Sequence, residues 1–330
     1  MSHIDTSSAT VTARPRYQRV LFSILGALVP RVLQLFALVI VITTVLFILL
    51  QFSGDPAAVL AGESNDAAVL EEIREQYGLN DPVWLQYLDF VKRVITFDYG
   101  VSYSSLQPAL GLVLDRLPWT MLLASVAVGL NILIAVPLGA WLGYRDQTKT
   151  GRLVSLAVFV SQGIPGYVVG LVLIQIFAVS MGILPSIGGG GPTTWILPGL
   201  TLAAFVVPRL SRVIAVNVRE AMQADYIRTA RATGTSSGRL LWREAVPNAL
   251  LGATALIGTQ FAYLLSGSII TEVIFSWPGV GMLLINAVLT LDFPVVHATV
   301  FVIAVLVYVV NTFIDILLTF LDPRQRRQRA

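Results

Sequence analysis

Apolar runs of membrane-crossing length constrain this chain more than any other feature. The first reads VLQLFALVIVITTVLFILLQF over residues 32–52. A helix needs about 20 mostly apolar residues to cross a ~30 Å hydrocarbon core. Stretches 32–52, 120–142, 153–181, 195–218, 249–275 and 296–320 all meet that length, the third interrupted by GIPG. They are continuous rather than alternating, which favours helices over the strands of a barrel. The expectation is an all-α integral membrane protein with six transmembrane helices. A charged content of only 12% agrees with it.

The basic residues set the orientation, because Lys and Arg collect on the cytoplasmic side. With the N-terminus inside, all but four of the 22 Lys and Arg residues fall on inner segments. The four, Arg74, Lys92, Arg93 and Arg116, lie in the long first outer loop, and long loops cross despite some charge. Both termini are therefore expected in the cytoplasm. The opening MSHIDTSSATVTARPRYQR reads as a cytoplasmic leader, since Arg31 and a long span follow where a signal peptide would need a cleavage site.

The expected organisation is a leader (1–31), a first span with an outer helical segment (32–118), a five-helix core (119–321) and a basic tail (322–330). An inner loop lies within the core at 220–248. The outer segment reads as two helices. Asn65 is placed to cap the first and Gly78 to end it. Asp81 and Pro82 start the second, where Trp84, Leu88, Val91 and Ile95 recur at helical spacing. The natural reading is an amphipathic helical cap outside the membrane.

Charge and backbone breaks at membrane depth mark pathways or helix interfaces. Arg209, Arg212 and Asp315 near the inner side either form an interior ion pair or reach the headgroups. Glu272 sits near the outer end of the fifth span. Gly163, Pro165 and Gly166 either kink the third span beside a pathway or pack it closely. Gly166 with Gly170, and Gly139 with Gly143, have the small-xxx-small spacing of close-packed membrane helices.

Several chemistries are excluded. The chain has no cysteine, and its only histidines are His3 and His297, so thiol chemistry and a Cys or His zinc site are ruled out. A phosphate-binding loop needs a Gly-Lys pair, and neither lysine, Lys92 or Lys149, follows a glycine. If ATP drives this protein, another chain hydrolyses it. GTSSG at 234–238 matches G-x-S-x-G, yet no strand precedes it and both histidines are remote in topology. The chain is expected to be no enzyme.

The segment DYIRTARATGTSSGRLLWREAVPNAL, residues 225–250, is then the anomaly: polar and basic, between two apolar spans, and on the inner side. Its first half is helix-prone and Gly234 is placed to end that helix. Its second half restarts a helix, with Pro247 at the hinge into the next span. A basic amphipathic segment could rest on anionic lipid. A fixed glycine with a proline thirteen residues later suits docking into another protein.

This segment resembles the EAA loop of ABC-type import permeases, whose pattern is E-A-A-x-x-x-G, nine residues, then I-x-L-P. The pattern falls on Arg228, Thr229, Ala230, Gly234, Glu244, Val246 and Pro247, with Arg228 replacing the carboxylate. DYIRTARATG is similar to the dipeptide/oligopeptide/nickel branch almost letter for letter. SGDPA, YGLNDPVWLQYLDFV, FDYGVSY, DRLPWTMLLA, AVPLGAWLG, SQGIPGYVVGLVLI, GILPSIG, ITEVIFSWPGVGMLLINAVLTLDFPVV and VNTFIDILLTFLDPR resemble the same branch in the same order.

The resemblance implies a type I ABC importer permease in a bacterial cytoplasmic membrane. It would pair with a second, homologous permease, two ATP-binding cassette ATPases and an extracytoplasmic solute-binding protein, within the lipid bilayer and with no nucleic acid. Coupling to the ATPases would fall on Tyr226, Arg228, Thr229, Ala230, Arg231, Gly234, Glu244 and Pro247. No cofactor is expected on this chain, ATP and Mg being held by the ATPases. Peptides are the expected substrate, with nickel or glutathione as alternatives. A secondary transporter or channel subunit is the competing class; such proteins usually carry inverted repeats, and none is evident.

Overall fold

The computed structural model describes residues 16–52, 57, 61, 66–76 and 79–321. Residues 1–15 of the leader, Asn65, Gly78, most of the SGDPA stretch and the tail lie outside them. Among the described residues the chain is helical, and the one β-type contact is an isolated bridge between Val101 and Pro108.

Helix α1 (Arg16–Phe52) begins inside the expected leader and carries Pro30 within it. Outside the spans come α2 (Ala67–Gln76) and α3 (Val83–Ile95), the expected pair. The cap of α2 is Asp66, whose Oδ1 accepts from Ala68 N at 3.0 Å. Pro82 stands one place before α3, where a missing N–H costs nothing.

The second span, α4 (Ala109–Tyr144), starts well before residue 120. At ~1.5 Å per residue its 36 residues reach about 54 Å, longer than the hydrocarbon core is thick. It packs most extensively against α7 (Ile196–Gln223), which follows a 3₁₀ turn at Pro192–Trp195. Glycines set that approach. A Cβ on Gly139 would sit 2.6 Å from the Ser211 carbonyl oxygen, and one on Gly143 2.5 Å from that of Ala215. Two backbones this close gain dispersion contacts where lipid gives no hydrophobic drive. Leu210, Ile214 and Val218 of α7 are fully buried in the resulting core.

The third span differs most from expectation. It is two helices, α5 (Lys149–Ser161) and α6 (Gly166–Leu173), the latter continuing as a π-helix over Ile174–Ser180. They meet at 101° across the GIPG break. Pro165 occupies the cap position of α6, so no helix is continuous through the break. Five helices are long and apolar enough to cross a membrane, and six spans result when this bent pair counts as one.

After the inner loop, α10 (Val246–Gly267) forms the main part of the fifth span. The apolar run then breaks at Ser268 into α11 (Ile269–Ile274). Between α7 and α10 the inner loop holds α8 (Asp225–Ala232) and α9 (Ser237–Arg239). The shorter apolar helix α12 (Val280–Leu289) follows α11, and α13 (Phe293–Leu321) is the last helix of membrane-crossing length.

Candidate coupling face and outer clasps

The inner loop starts where Ala224, in extended conformation, separates α7 from α8 (Asp225–Ala232). One residue anchors α8 inside the protein: Ile227, fully buried. Around it α8 rests on α7 and on the π-helical stretch Leu240–Ala245. Ala230 is half-buried, and the remaining side chains of α8 are exposed. Arg228 pairs with Asp225 at 3.3 Å, but the two are 73% and 96% exposed, so the pair adds little. Thr229 Oγ1 donates to the Asp225 carbonyl at 3.1 Å, and Arg231 is exposed.

The end of α8 is a Schellman cap. Thr235 N donates to the half-buried Ala230's carbonyl and Gly234 N to that of Arg231, each at 3.1 Å. Gly234 has φ +86, and a Cβ there would meet nothing within 4 Å. Glycine is required by the backbone conformation, not by crowding.

The second arm is not a separate surface helix hinged at Pro247. A single turn, α9 (Ser237–Arg239), passes through the π stretch directly into α10. Pro247 lies in the first turn of α10, and the π stretch before it accommodates the absent N–H. The π stretch precedes it: Val246 N bonds to Leu241 O, one residue further back than in an α-helix. Leu240, Leu241 and Ala245 are buried while Trp242, Arg243 and Glu244 are exposed. Asn248 ties the two arms, its Nδ2 donating to the Glu244 carbonyl at 2.8 Å and to Tyr226 Oη at 3.3 Å. Trp242 and Asn248 were not anticipated. The signal for Trp242 was present, as a large aromatic directly followed by the charged pair Arg243 and Glu244 in LLWREA.

On the outer side Glu272 is fully buried, in a clasp rather than at an open pathway. Oε1 accepts from Thr120 Oγ1 and Ser268 Oγ, each at 2.9 Å. Oε2 accepts from Gly281 N at 2.8 Å and Met282 N at 3.1 Å. Thr120 Oγ1 also takes Val280 N at 2.8 Å. The first three N–H groups of α12 are thereby satisfied, with a carboxylate at the positive end of the helix dipole. A Cβ on Gly279 would lie 2.4 Å from Oε2, which explains the PGVG spacing. Trp277, fully buried, donates from Nε1 to the Trp119 carbonyl at 3.0 Å.

A second clasp was not anticipated. Asp292, buried, accepts from Ser102 Oγ at 2.5 Å, Ser104 Oγ at 2.9 Å, Tyr103 N at 3.2 Å and Ser104 N at 3.3 Å. It fastens the outer loop to the start of α13.

The remaining candidates do not converge. Gly163, Pro165 and Gly166 form the α5–α6 break. Gly170 is the closer packing glycine, with Thr201 Cγ2 3.0 Å from a Cβ built there. Arg209 and Asp315 are exposed on α7 and α13. The Arg212 guanidinium lies 5.5 Å from the Phe159 ring centroid, at an inner-side cleft that Arg219 and Asp146 also line.

This arrangement, a polar handle on one side and buried clasps on the other, has relatives. Residues 135–327 match the family described as binding-protein-dependent transport system inner membrane component, and residues 24–124 match the N-terminal membrane component of such systems. The chain is 30% identical over 304 residues to the glutathione transport system permease protein GsiC of Escherichia coli (strain K12) and to that of Shigella dysenteriae serotype 1, covering 92% of this chain and 99% of theirs. Among solved structures, a chain of the inward-facing MetNI methionine ABC transporter superposes with a TM-score of 0.52 at 18% identity, covering 65% of this chain and 98% of that one, which supports the fold. The chain belongs to the family of binding-protein-dependent transport system inner membrane components and is a permease subunit of an ABC importer.

Proposed function

We propose that this permease imports small peptides, with glutathione, itself a tripeptide, inside the substrate class. The branch resemblance and the name of the GsiC relatives support that choice. It works with a second, homologous permease, two ATPases that bind ATP and Mg, and an extracytoplasmic binding protein, its own termini in the cytoplasm. The inner loop at 220–248 is the handle on which an ATPase docks. One observation carries this: α8 has one fully buried residue, Ile227, and is closed by a Gly234 cap, so most of its surface is left for a partner. The role of the loop is mechanical, and the chain transfers no chemical group.

The test uses the complete importer in proteoliposomes, with uptake and ATP hydrolysis measured together. Gly234→Val forces a β-branched residue to positive φ and is expected to abolish uptake while the complex still assembles and hydrolyses ATP. Gly234→Asn, which tolerates that conformation, is expected to retain most uptake. Normal uptake by the Val variant would remove the handle from the mechanism. Labelled glutathione and short peptides are compared with Ni²⁺ in the wild type; uptake of Ni²⁺ alone would overturn the peptide assignment.

A further inference from the structure

Of the stripe Trp84, Leu88, Val91 and Ile95 only Val91 is half-buried, and the stripe is not the side on which α3 is chiefly fastened to the protein. The adjacent stripe does. Val94 is buried, and Tyr87 Oη shares a 2.9 Å hydrogen bond with Thr44 Oγ1. The Tyr87 ring meets Phe47 edge-on at 5.3 Å, and Phe90 lies 5.8 Å from Phe47 and 4.8 Å from His297. Trp84, Leu88 and Ile95 stay 62%, 55% and 65% exposed. A third sector holds Asp89, Lys92 and Arg93, all exposed.

The docking partners fix the depth of α3. Thr44 and Phe47 lie within the apolar run 32–52, and His297 lies at the start of the run 296–320. The helix therefore runs beside the outer turns of two spans rather than beyond their ends. Neighbouring α1 residues Val41, Val45 and Ile48 are themselves exposed and apolar.

We propose that α3 is an interfacial helix seated in the outer leaflet. Its Trp84–Leu88–Val91–Ile95 stripe lies on acyl chains, and Lys92 and Arg93 stand at the headgroup phosphates. The three sectors fit a helix lying in the membrane plane: one side docked, one apolar and facing the lipid, one polar and facing water. Trp84 sits where an aromatic ring is favoured at the interface. The placement also accounts for two of the four basic residues that the outer loop carries against the charge rule. A water-soluble binding protein does not reach alongside the apolar runs 32–52 and 296–320, so lipid is the occupant.

The chain has no native cysteine, so single labels are direct to place. Trp84→Cys, Leu88→Cys, Ile95→Cys and Asp89→Cys are each given a nitroxide in the assembled importer in lipid nanodiscs, with cysteines elsewhere in the complex replaced. Collision with oxygen is compared with collision with a water-soluble nickel reagent. At 84, 88 and 95 oxygen accessibility is expected to exceed nickel accessibility several-fold, and at 89 the order is expected to reverse. Nickel access at 88 and 95 equal to that at 89 would mean the stripe faces water. Low access to both reagents would mean it is covered by protein. Either result overturns the proposal. Three stripe positions are used so that failed assembly at one leaves the others to decide.

Discussion

Glu272 accepts four hydrogen bonds with no solvent contact, and two of them come from the first turn of α12. Truncation to alanine would strand two N–H groups and two hydroxyls, and a buried unsatisfied group costs about 1–3 kcal/mol. Hydroxyls can turn to new acceptors but the backbone N–H groups cannot. Glu272→Ala is therefore expected to lower the melting temperature of the detergent-purified importer by several degrees. Glu272→Gln keeps an oxygen for the two N–H donors and offers its NH₂ to the hydroxyls, so it is expected to melt close to the wild type. An alanine variant with unchanged melting would show that α12 is held by other means. The sequence marked Glu272 only as an expensive charge near the end of a span. Its partner Thr120 is 152 residues away, and no local pattern joins them. Thr120 and Glu272 do sit in the stretches DRLPWTMLLA and ITEVIFSWPGVG that carry the family resemblance, but nothing in those stretches says that the two residues meet. Gly234 is the opposite case. A helix end is a local event, and the glycine that closes α8 was legible from spacing alone.

Helix periodicity reports which residues share a face, but not which face docks. Trp84, Leu88, Val91 and Ile95 recur at helical spacing, whereas α3 is fastened by Tyr87, Phe90 and Val94 one sector away. The GIPG break was legible as an interruption. Its angle was not, because a proline at a helix cap fixes where the helix stops and leaves the direction of the next one to packing. Pro247 was read as a hinge for the reason that usually holds, that proline ends helices. Here the π stretch Leu240–Ala245 absorbs it and the arm continues into α10. A π turn carries one extra residue, so it sets the rotation of the loop about the span. Pro247→Ala restores an N–H that can bond the Arg243 carbonyl and favours a regular α-turn, rotating α9 by roughly 100° relative to α10. The expected outcome is unchanged or slightly raised thermal stability with a marked fall in uptake. Wild-type uptake together with an unshifted distance between labels on α9 and α10 would remove the π stretch from the coupling.

Three contacts sort the ends of the spans into two groups. Asp292 joins the start of α13 to residues 102–104, and Gly188 N bonds to Phe275 O at 2.7 Å, which gathers one group. Arg219 pairs with Asp146 at 3.1 Å, which gathers the opposite one. Packing alone does not say which group faces the cytoplasm. The charge distribution gives the expectation that the group containing Arg219 does, since it also holds Arg145, Lys149, Arg152, Arg228 and Arg231, and positive residues resist transfer across the membrane. Absence of cysteine makes this measurable on the whole importer in cells. Asp98 and Ser236 are exposed, and they lie on opposite groups. A membrane-impermeant maleimide added to intact spheroplasts is expected to label Asp98→Cys and leave Ser236→Cys untouched. Ser236→Cys should react only after the membrane is permeabilised. The reverse pattern would place α8 on the side where no ATP is available, and would refute the topology and the docking role of the loop in one experiment.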